Sequence, residues 1–361
     1  MSLRRRRHSA AAIAAVGGLA LLLAACSSSG TPSSSSSSGT KSTNLSGTLN
    51  GSGSTFQTVY QQAAISAFKS VQSGMTVNYG GGGSGKGRTD LAGGVVNFAG
   101  SDSPIPSTET ANFKGKTVLY FPVVVGPITL SYNLSGLSKP LQLTPPVIAD
   151  IFQAKVTKWN APEIAAINPG VTLPSTAITL AVRSDSSGTT SNFSLFLVNS
   201  VGSAWKLGSA STISWPSSAR AVSGNSGVAQ AVKSTPGAIG YVDFATAKAS
   251  GLTFASVKNK DGNYVAPSVT AASAAAAGTT VAPDLTFHAV WAPGATAYPI
   301  TYQSWDLVYA KQPNANDAAM LKAYLGYLLG DGQKLLSQLN YAPLPSSIDS
   351  QAVAQLSKIT G

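Results

Sequence analysis

The chain has 361 residues, room for about two domains with real cores. Apolar content is ordinary at 43%, but charged residues make up only 10%, so Ser, Thr, Ala and Gly supply the polar surface. The net charge is +11, yet no basic run follows Arg4 to Arg7 and basic and aromatic residues do not interleave, which argues against nucleic-acid binding and leaves a mild positive field suited to small anions.

Arg4 to Arg7 form a positive n-region, and Ala10 to Leu23 an apolar run too short and wrongly flanked for a membrane span. Leu23-Ala24-Ala25-Cys26 follows. It resembles the lipobox of bacterial lipoproteins, which implies cleavage before Cys26 and lipidation of its thiol. The alternative is an ordinary cleaved signal with a chance cysteine. Residues 1–25 are thus expected to be a signal peptide, and 26–44 a lipidated cysteine with a Ser-rich tether that cannot bury enough surface to fold. Cys26 is the only cysteine, so neither a disulfide nor a cysteine metal site is expected.

The folded part is expected from Leu45. Four junctions then repeat one pattern: an apolar segment, a Gly/Ser/Thr cluster and often a helix start. The first is Leu49 to Phe56, after which Phe56, Tyr60, Ala63, Ala67 and Phe68 form a helical stripe. The second is Thr76 to Tyr79 followed by Gly80 to Gly85, and the third Val95 to Asp102. In the fourth, the apolar run Ile178 to Val182 reads as a buried strand and leads into Arg183-Ser184-Asp185-Ser186-Ser187-Gly188-Thr189-Thr190. Phe193, Phe196 and Leu197 then predict a helix. Strands alternating with helices indicate a parallel sheet, whose ligands bind beyond the carboxyl ends of the strands. Further on, Phe121 to Tyr132 is a long apolar run broken by Gly126 and Pro127, able to carry the chain between domains. Pro145 to Phe152 and Pro162 to Ile167 read as helices, Trp215-Pro216 and Gly224-Asn225-Ser226-Gly227 as loops, and Gly237 to Val242 as a strand. Ala271 to Thr280 is open between helix and loop. Tyr298 to Tyr309 reads as a returning strand, and Ala318 to Leu329 and Ser350 to Ile359 as helices.

The fourth junction carries the most chemistry. A helix start has backbone N–H groups without partners and a dipole that favours negative charge. Hydroxyls and one arginine crowd it, the composition of an oxyanion site. The same residues also read as a plain N-cap at Ser186 or Ser187, with Arg183 paired to Asp185. Gly80 to Gly85 matches a dinucleotide fingerprint, with Asp102 at the expected distance, and nearly matches a phosphate-binding NTPase loop. Gly87 stands where that loop needs Ser or Thr, and export would place the chain away from nucleotides. What survives is a glycine loop whose N–H groups can approach an anion. No cofactor is expected. The only histidines are His8, in the signal, and His288, so a histidine metal cluster is excluded and a Ser-His-Asp triad would have to use His288.

Together these stretches resemble the substrate-binding lipoprotein of the bacterial ABC phosphate transporter. The residues carrying the resemblance are Gly51 to Phe56, Val77 to Tyr79, Gly83 to Gly85, Phe98 to Asp102, Lys158-Trp159, Asn168 to Gly170, Arg183 with Ser187 to Thr189, and Pro236 to Val242. The resemblance implies an α/β periplasmic-binding-protein fold of two lobes, each a mostly parallel sheet flanked by helices, with one dehydrated phosphate in the cleft. Lobe I would be 45–130 with 299–361 as its return segment, and lobe II 131–298. It implies phosphate contacts from Thr55, Phe56, Ser84, Asp102, Arg183, Ser187, Gly188 and Thr189, with Asp185 tempering the arginine. It also implies no enzymatic activity, a monomer on the outer face of the cytoplasmic membrane, and delivery to the transmembrane permease of an ABC importer. Gln57 stands where the family commonly has proline, and Gly80 to Gly83 is unusually glycine-rich.

The chemistry of selection follows from donors and acceptors. Phosphate keeps a proton at neutral pH; sulfate has none. An ionised Asp102 accepts hydrogen bonds but cannot donate, so it can bond P–OH and repels an unprotonated oxyanion. Arg183 supplies the opposing charge. The rival readings are a binding protein for sulfate, molybdate or tungstate, a secreted phosphatase or esterase using Ser187 or Ser84 as nucleophile, and an extracellular sensor or adhesin.

Overall fold

The computed structural model describes residues 45–361. The expected signal peptide, Cys26 and the tether lie outside the described residues. Three strands open the fold, β1 (Gly47–Gly53), β2 (Met75–Gly80) and β3 (Phe98–Ser101), all parallel and ordered β2-β1-β3. Helices α1 (Thr58–Val71) and α2 (Ser84–Ala92) connect them. The stripe expected on α1 is shifted: Tyr60, Ala64 and Phe68 are buried with Gln61, while Ala63 and Ala67 are only half-buried. Gln61 enters the core because Asp306 lies there to receive its amide.

The long apolar run becomes β4 (Val118–Tyr132), buried at every residue but the first. Its partner changes midway. From Val118 to Pro127 it lies antiparallel to β12 (the returning strand, Thr301–Tyr309), and from Ile128 to Tyr132 antiparallel to the strand Ala238–Asp243. Pro127, which has no N–H to give a ladder, sits where one partner ends and the next begins. A register shift opposite Pro122 falls between Ser304 and Trp305 of the returning strand.

Beyond β4, a small sheet forms from β5 (Gln142–Leu143), β10 (Ser256–Lys258) and β11 (Tyr264–Val265). Helices α3 (Pro145–Phe152) and α4 (Pro162–Ala166) precede β6 (Thr179–Arg183), α5 (Gly188–Val201), β7 (Arg220–Val222), α6 (Gly224–Ser234), β8 (Ala238–Asp243) and α7 (Phe244–Ala249). β6 is parallel to both β7 and β8, and β9 (Thr253–Phe254) pairs with the end of β4. Phe193, Phe196 and Leu197 are fully buried, as their spacing predicts. Phe193 stacks on Tyr241 at 4.6 Å between ring centroids.

Gly224 to Gly227, expected to be a loop, is the first turn of α6. Val228, Ala229, Ala231 and Val232 bury one face of that helix, and this packing outweighs the poor helix propensity of its glycines. The ambiguous alanine stretch is helix α8 (Val269–Ala277), started by Ser268, whose hydroxyl accepts from the Ala271 N–H at 3.1 Å. Helices α9 (Ala315–Leu329) and α10 (Ser346–Gln355) follow the returning strand. Both sheets contain parallel strands, but β4 and β12 add antiparallel neighbours. Among the described residues no helix is long and apolar enough to cross a membrane.

Candidate functional site

The carboxyl ends of β1, β3 and β6 converge, and each delivers part of one cluster. β6 ends at Arg183, which is 4% exposed. Its Nε donates to Asp185 Oδ1 at 2.8 Å, its Nη2 to Asp185 Oδ2, and its Nη1 to Asn225 Oδ1 at 3.2 Å. Burial works to raise the Asp185 carboxyl, but the Arg183 guanidinium and the Gly224 N–H hold it below the usual range. Ser187 caps α5, accepting from the Thr190 N–H at 3.1 Å, so the plain N-cap and the Arg183–Asp185 pair are both present. Ser187's own N–H donates to Ser211 O at 2.8 Å. The N–H groups of Gly188 and Thr189, first in the helix, have no intrahelical acceptor.

Facing that helix start is Asp102, just past β3 and 1% exposed. Its Oδ1 accepts from the Ser54 hydroxyl and from the Ser304 hydroxyl, the latter at 2.5 Å. Ser84 accepts from the Asp102 N–H at 3.1 Å and stands 3.4 Å from Oδ2. The backbone on either side is held by the buried Arg88, which donates to Ser101 and Ser103 at 3.2 Å each and grips Glu109 at 2.6 and 2.9 Å. Asn192 of α5 donates to the Asp102 carbonyl at 2.6 Å. Burial pushes the Asp102 carboxyl up to about 6, against the pull of Ser304, Ser54, Arg183 and Ser84.

The two halves meet closely. The Gly85 N–H donates to Ser186 O at 3.0 Å, and the Asn225 N–H to the Thr55 hydroxyl at 3.3 Å. A Cβ on Gly188 would lie 2.6 Å from Asp102 Cβ and 2.7 Å from its Oδ2, so only glycine fits there. Gly83, at φ 92°, would bring a Cβ to 2.6 Å from Ser186 O. Phe56 stacks on Tyr302 at 4.1 Å, and its N–H reaches the Ser54 hydroxyl at 3.1 Å.

The structure therefore brings Thr55, Phe56, Ser84, Asp102, Arg183, Asp185, Ser187, Gly188 and Thr189 into one cluster built around the contacts above. His288 is exposed and hydrogen-bonds neither Ser84 nor Ser187, so these serines have no histidine base beside them. The cluster places a single buried carboxylate opposite an arginine and a helix start.

The chain matches the model of the PBP superfamily domain over residues 38–331. It is 34% identical over 316 residues to phosphate-binding protein PstS 3 of Mycobacterium tuberculosis, covering 84% of each chain. The chain belongs to the PstS family of phosphate-binding proteins. It is likewise 34% identical to phosphate-binding protein PstS of Xylella fastidiosa over 323 residues, 87% of this chain and 85% of that one. A high-affinity periplasmic phosphate-binding protein (PfluDING), solved with phosphate bound, superposes with a TM-score of 0.71 at 22% identity, over 86% of this chain and 94% of that chain. The two-lobed fold is thus that of the periplasmic binding proteins.

Several residues of this PstS cluster carry no signal in their own neighbourhood. Ser304 and Gln303 come from the returning strand, 202 and 201 residues from Asp102 along the chain, and Asn192 is a buried residue of α5. Asn225, in the stretch expected to be a loop, joins Arg183, Thr55 and Thr189. Ser54 lies inside the first Gly/Ser motif and was within reach of a sequence reading.

Proposed function

We propose that this protein binds one inorganic phosphate between its lobes and delivers it to the transmembrane permease of an ABC importer. The observation that carries the reading is Asp102: a buried carboxylate held by hydroxyls, with no cation hydrogen-bonded to it among the described residues, facing a wall of donors. Arg183, the N–H groups of Gly188 and Thr189, and the hydroxyls of Thr55, Ser84, Ser187 and Thr189 donate to the anion, Asp102 accepts a hydrogen bond from its P–OH, and Phe56 lines the site with its N–H on the Ser54 hydroxyl. Asp185 draws off part of the arginine's charge. A site of this kind suits a protonated oxyanion and penalises sulfate by an unmatched charge contact, several kcal/mol or on the order of a thousandfold.

The lobes are assigned as 45–130 with 299–361, and 131–298, joined where β4 changes partner and where the chain returns into β12. Ligand stabilises the closed arrangement by its higher affinity for that form. Cys26 carries a lipid that holds the monomer on the outer face of the cytoplasmic membrane. The chain binds without turnover, a reading supported by the lack of hydrogen-bond contact between His288 and either Ser84 or Ser187.

Titration calorimetry of the tag-free mature domain with phosphate and with sulfate tests the central reading. One-to-one phosphate binding with sulfate far weaker is expected; equal affinities, or binding of sulfate alone, would defeat it. Cys26→Ser should move the protein out of the membrane fraction with folding unchanged, and retention after a carbonate wash would defeat the anchor. Small-angle scattering should show the radius of gyration fall when phosphate is added.

A further inference from the structure

Behind Asp102 runs a buried polar chain that the binding site itself does not require. Gln57, at the start of α1, is fully buried. Its Nε2 donates to the Ser304 hydroxyl at 2.7 Å and to the Trp305 carbonyl at 2.9 Å. Its Oε1 accepts from Gln61 Nε2 at 2.9 Å. Gln61 Nε2 also donates to Asp306, at 3.0 Å to Oδ2, and Gln61 Oε1 accepts from the Tyr324 hydroxyl at 2.5 Å.

The direction of every bond in this chain is dictated by its fixed acceptors. The Trp305 carbonyl can only accept, so Gln57 must turn its NH₂ toward it, and therefore toward Ser304. Asp306 accepts from Gln61 whether ionised or, once protonated, through its remaining carbonyl oxygen, and with the Tyr324 hydroxyl it orients the Gln61 amide so that an N–H meets Gln57 Oε1. Ser304, which receives an N–H from Gln57, has one proton to place. Asp102 Oδ1 is 2.5 Å from its oxygen and Ser101 O is 3.3 Å away, so the proton goes to Asp102. On the other side Ser54 receives the Phe56 N–H and gives its proton to the same Oδ1. Oδ1 is thus filled by two hydroxyl donors. Oδ2, with only the distant Ser84, faces Gly188 at the start of α5 and is the oxygen left to read the anion.

We propose that Gln57 is a positioning residue for anion selectivity: its amide fixes the Ser304 hydroxyl as an obligate donor to Asp102, and Asp306, through Gln61, holds that amide in place. This inference rests on the phosphate reading for its consequence, but not for its hydrogen bonds. The donor keeps Asp102 charged and turns its free oxygen to the ligand. Without it, Asp102 takes up a proton more readily, and a protonated Asp102 can donate to sulfate. The other titratable groups around Asp102 and its relay are Arg183, Asp243, Asp306, Tyr79, Tyr302, Tyr324 and Tyr341. They are common to every variant below, so a difference between variants reports the relay.

The test uses the ligand-free protein and then the two anions. Carbon NMR of the aspartate carboxyls, with the Asp102 signal assigned by its loss in Asp102→Asn, gives the Asp102 titration midpoint in wild type, Ser304→Ala, Gln57→Met and the double variant. Loss of the Ser304 hydroxyl should raise the midpoint by about one pH unit, and Gln57→Met, which leaves that hydroxyl in place but free to turn toward Ser101 O, should raise it by a smaller amount. The double variant should shift no further than Ser304→Ala, because Gln57 acts through Ser304. Sulfate binding, measured across the same pH range, should extend to higher pH by the same interval, a roughly tenfold narrowing of phosphate preference on that limb. An unmoved midpoint in Gln57→Met, or a double variant whose shift is the sum of the two, overturns the proposal. Should Gln57→Met fail to fold, Ser304→Ala decides alone, and an unmoved midpoint there overturns it equally. If the midpoints move but wild type binds no phosphate, the functional reading falls and takes the selectivity role with it, a result distinct from a broken relay.

Discussion

Arg183 and Asp102 are both buried charges at strand ends, and the fold balances them in opposite ways. Arg183 has a counter-ion two residues away: Asp185 takes two of its N–H groups and leaves Nη1 to Asn225. Asp102 has no cation hydrogen-bonded to it among the described residues; hydroxyls from β1's end and from the returning strand surround one of its oxygens. A tempered arginine contributes attraction without gripping every anion alike. A carboxylate supported by neutral dipoles keeps an oxygen free to demand a proton. The contrast separates how strongly the site binds from what it selects.

The largest effect should come from the charge-reading side. Arg183→Ala removes a buried cation and strands Asp185, so phosphate and sulfate should both weaken by about 3 kcal/mol, on the order of a hundredfold, with their ratio unchanged. A changed ratio in calorimetry would mean that Arg183 also selects. Gly188→Ala sets a methyl against Asp102 and Ser84 and should hold the halves apart, weakening every oxyanion by about 2 kcal/mol while the far-UV spectrum stays native. Unaltered affinity would show that the halves need not meet so closely.

Asp102→Asn breaks the selecting side. The amide loses charge but keeps one acceptor and gains two donors, so phosphate affinity should change by only about 1–2 kcal/mol in either direction. Sulfate should gain more, narrowing the ratio of dissociation constants roughly tenfold. An unchanged ratio would make Asp102 a structural carboxylate.

The same buried carboxylates shape stability. Burial pushes Asp102 and Asp243 up to about 6 and Asp306 up to about 7. Between about pH 4 and pH 7 the folded ligand-free protein therefore holds protons that the unfolded chain, with carboxyls near about 3.9, has released. Stability falls as pH rises through that window, by at most about 1.4 kcal/mol per pH unit for each group. Asp185, held below its ordinary value, acts oppositely and only below about pH 4. Urea midpoints of the ligand-free protein should be higher at pH 5 than at pH 8, and Asp306→Asn should flatten the slope; equal midpoints would mean that these groups do not titrate as their burial implies. The smallest effect is expected from the helix cap: Ser187→Ala should lower stability by about 1 kcal/mol, read by the same denaturation, and cost the charge side one donor.

The sequence by itself determined the features that live within a few residues of chain. The apolar run before Arg183, the Ser187 cap and the spacing of Phe193, Phe196 and Leu197 all signal a strand turning into a helix, because caps and periodicity act locally. The Arg183–Asp185 pair was legible for the same reason, since its partners are two residues apart. The break at Gly126 and Pro127 was visible in the apolar run, but that β4 changes partner there, and not at Pro122, was decided by which strands lie beside it. Only the tertiary structure decided what surrounds Asp102. Ser304 reaches it across 202 positions, and Gln57, Gln61 and Asp306 line up behind it, although nothing near any of them in sequence marks them as partners. Gly224 to Gly227 read as a loop because their propensity says so, and became a helix start because Val228 and Val232 had a core to enter. Propensity and capping are properties of a segment, whereas hydrogen-bond direction and burial belong to the groups that folding brings together.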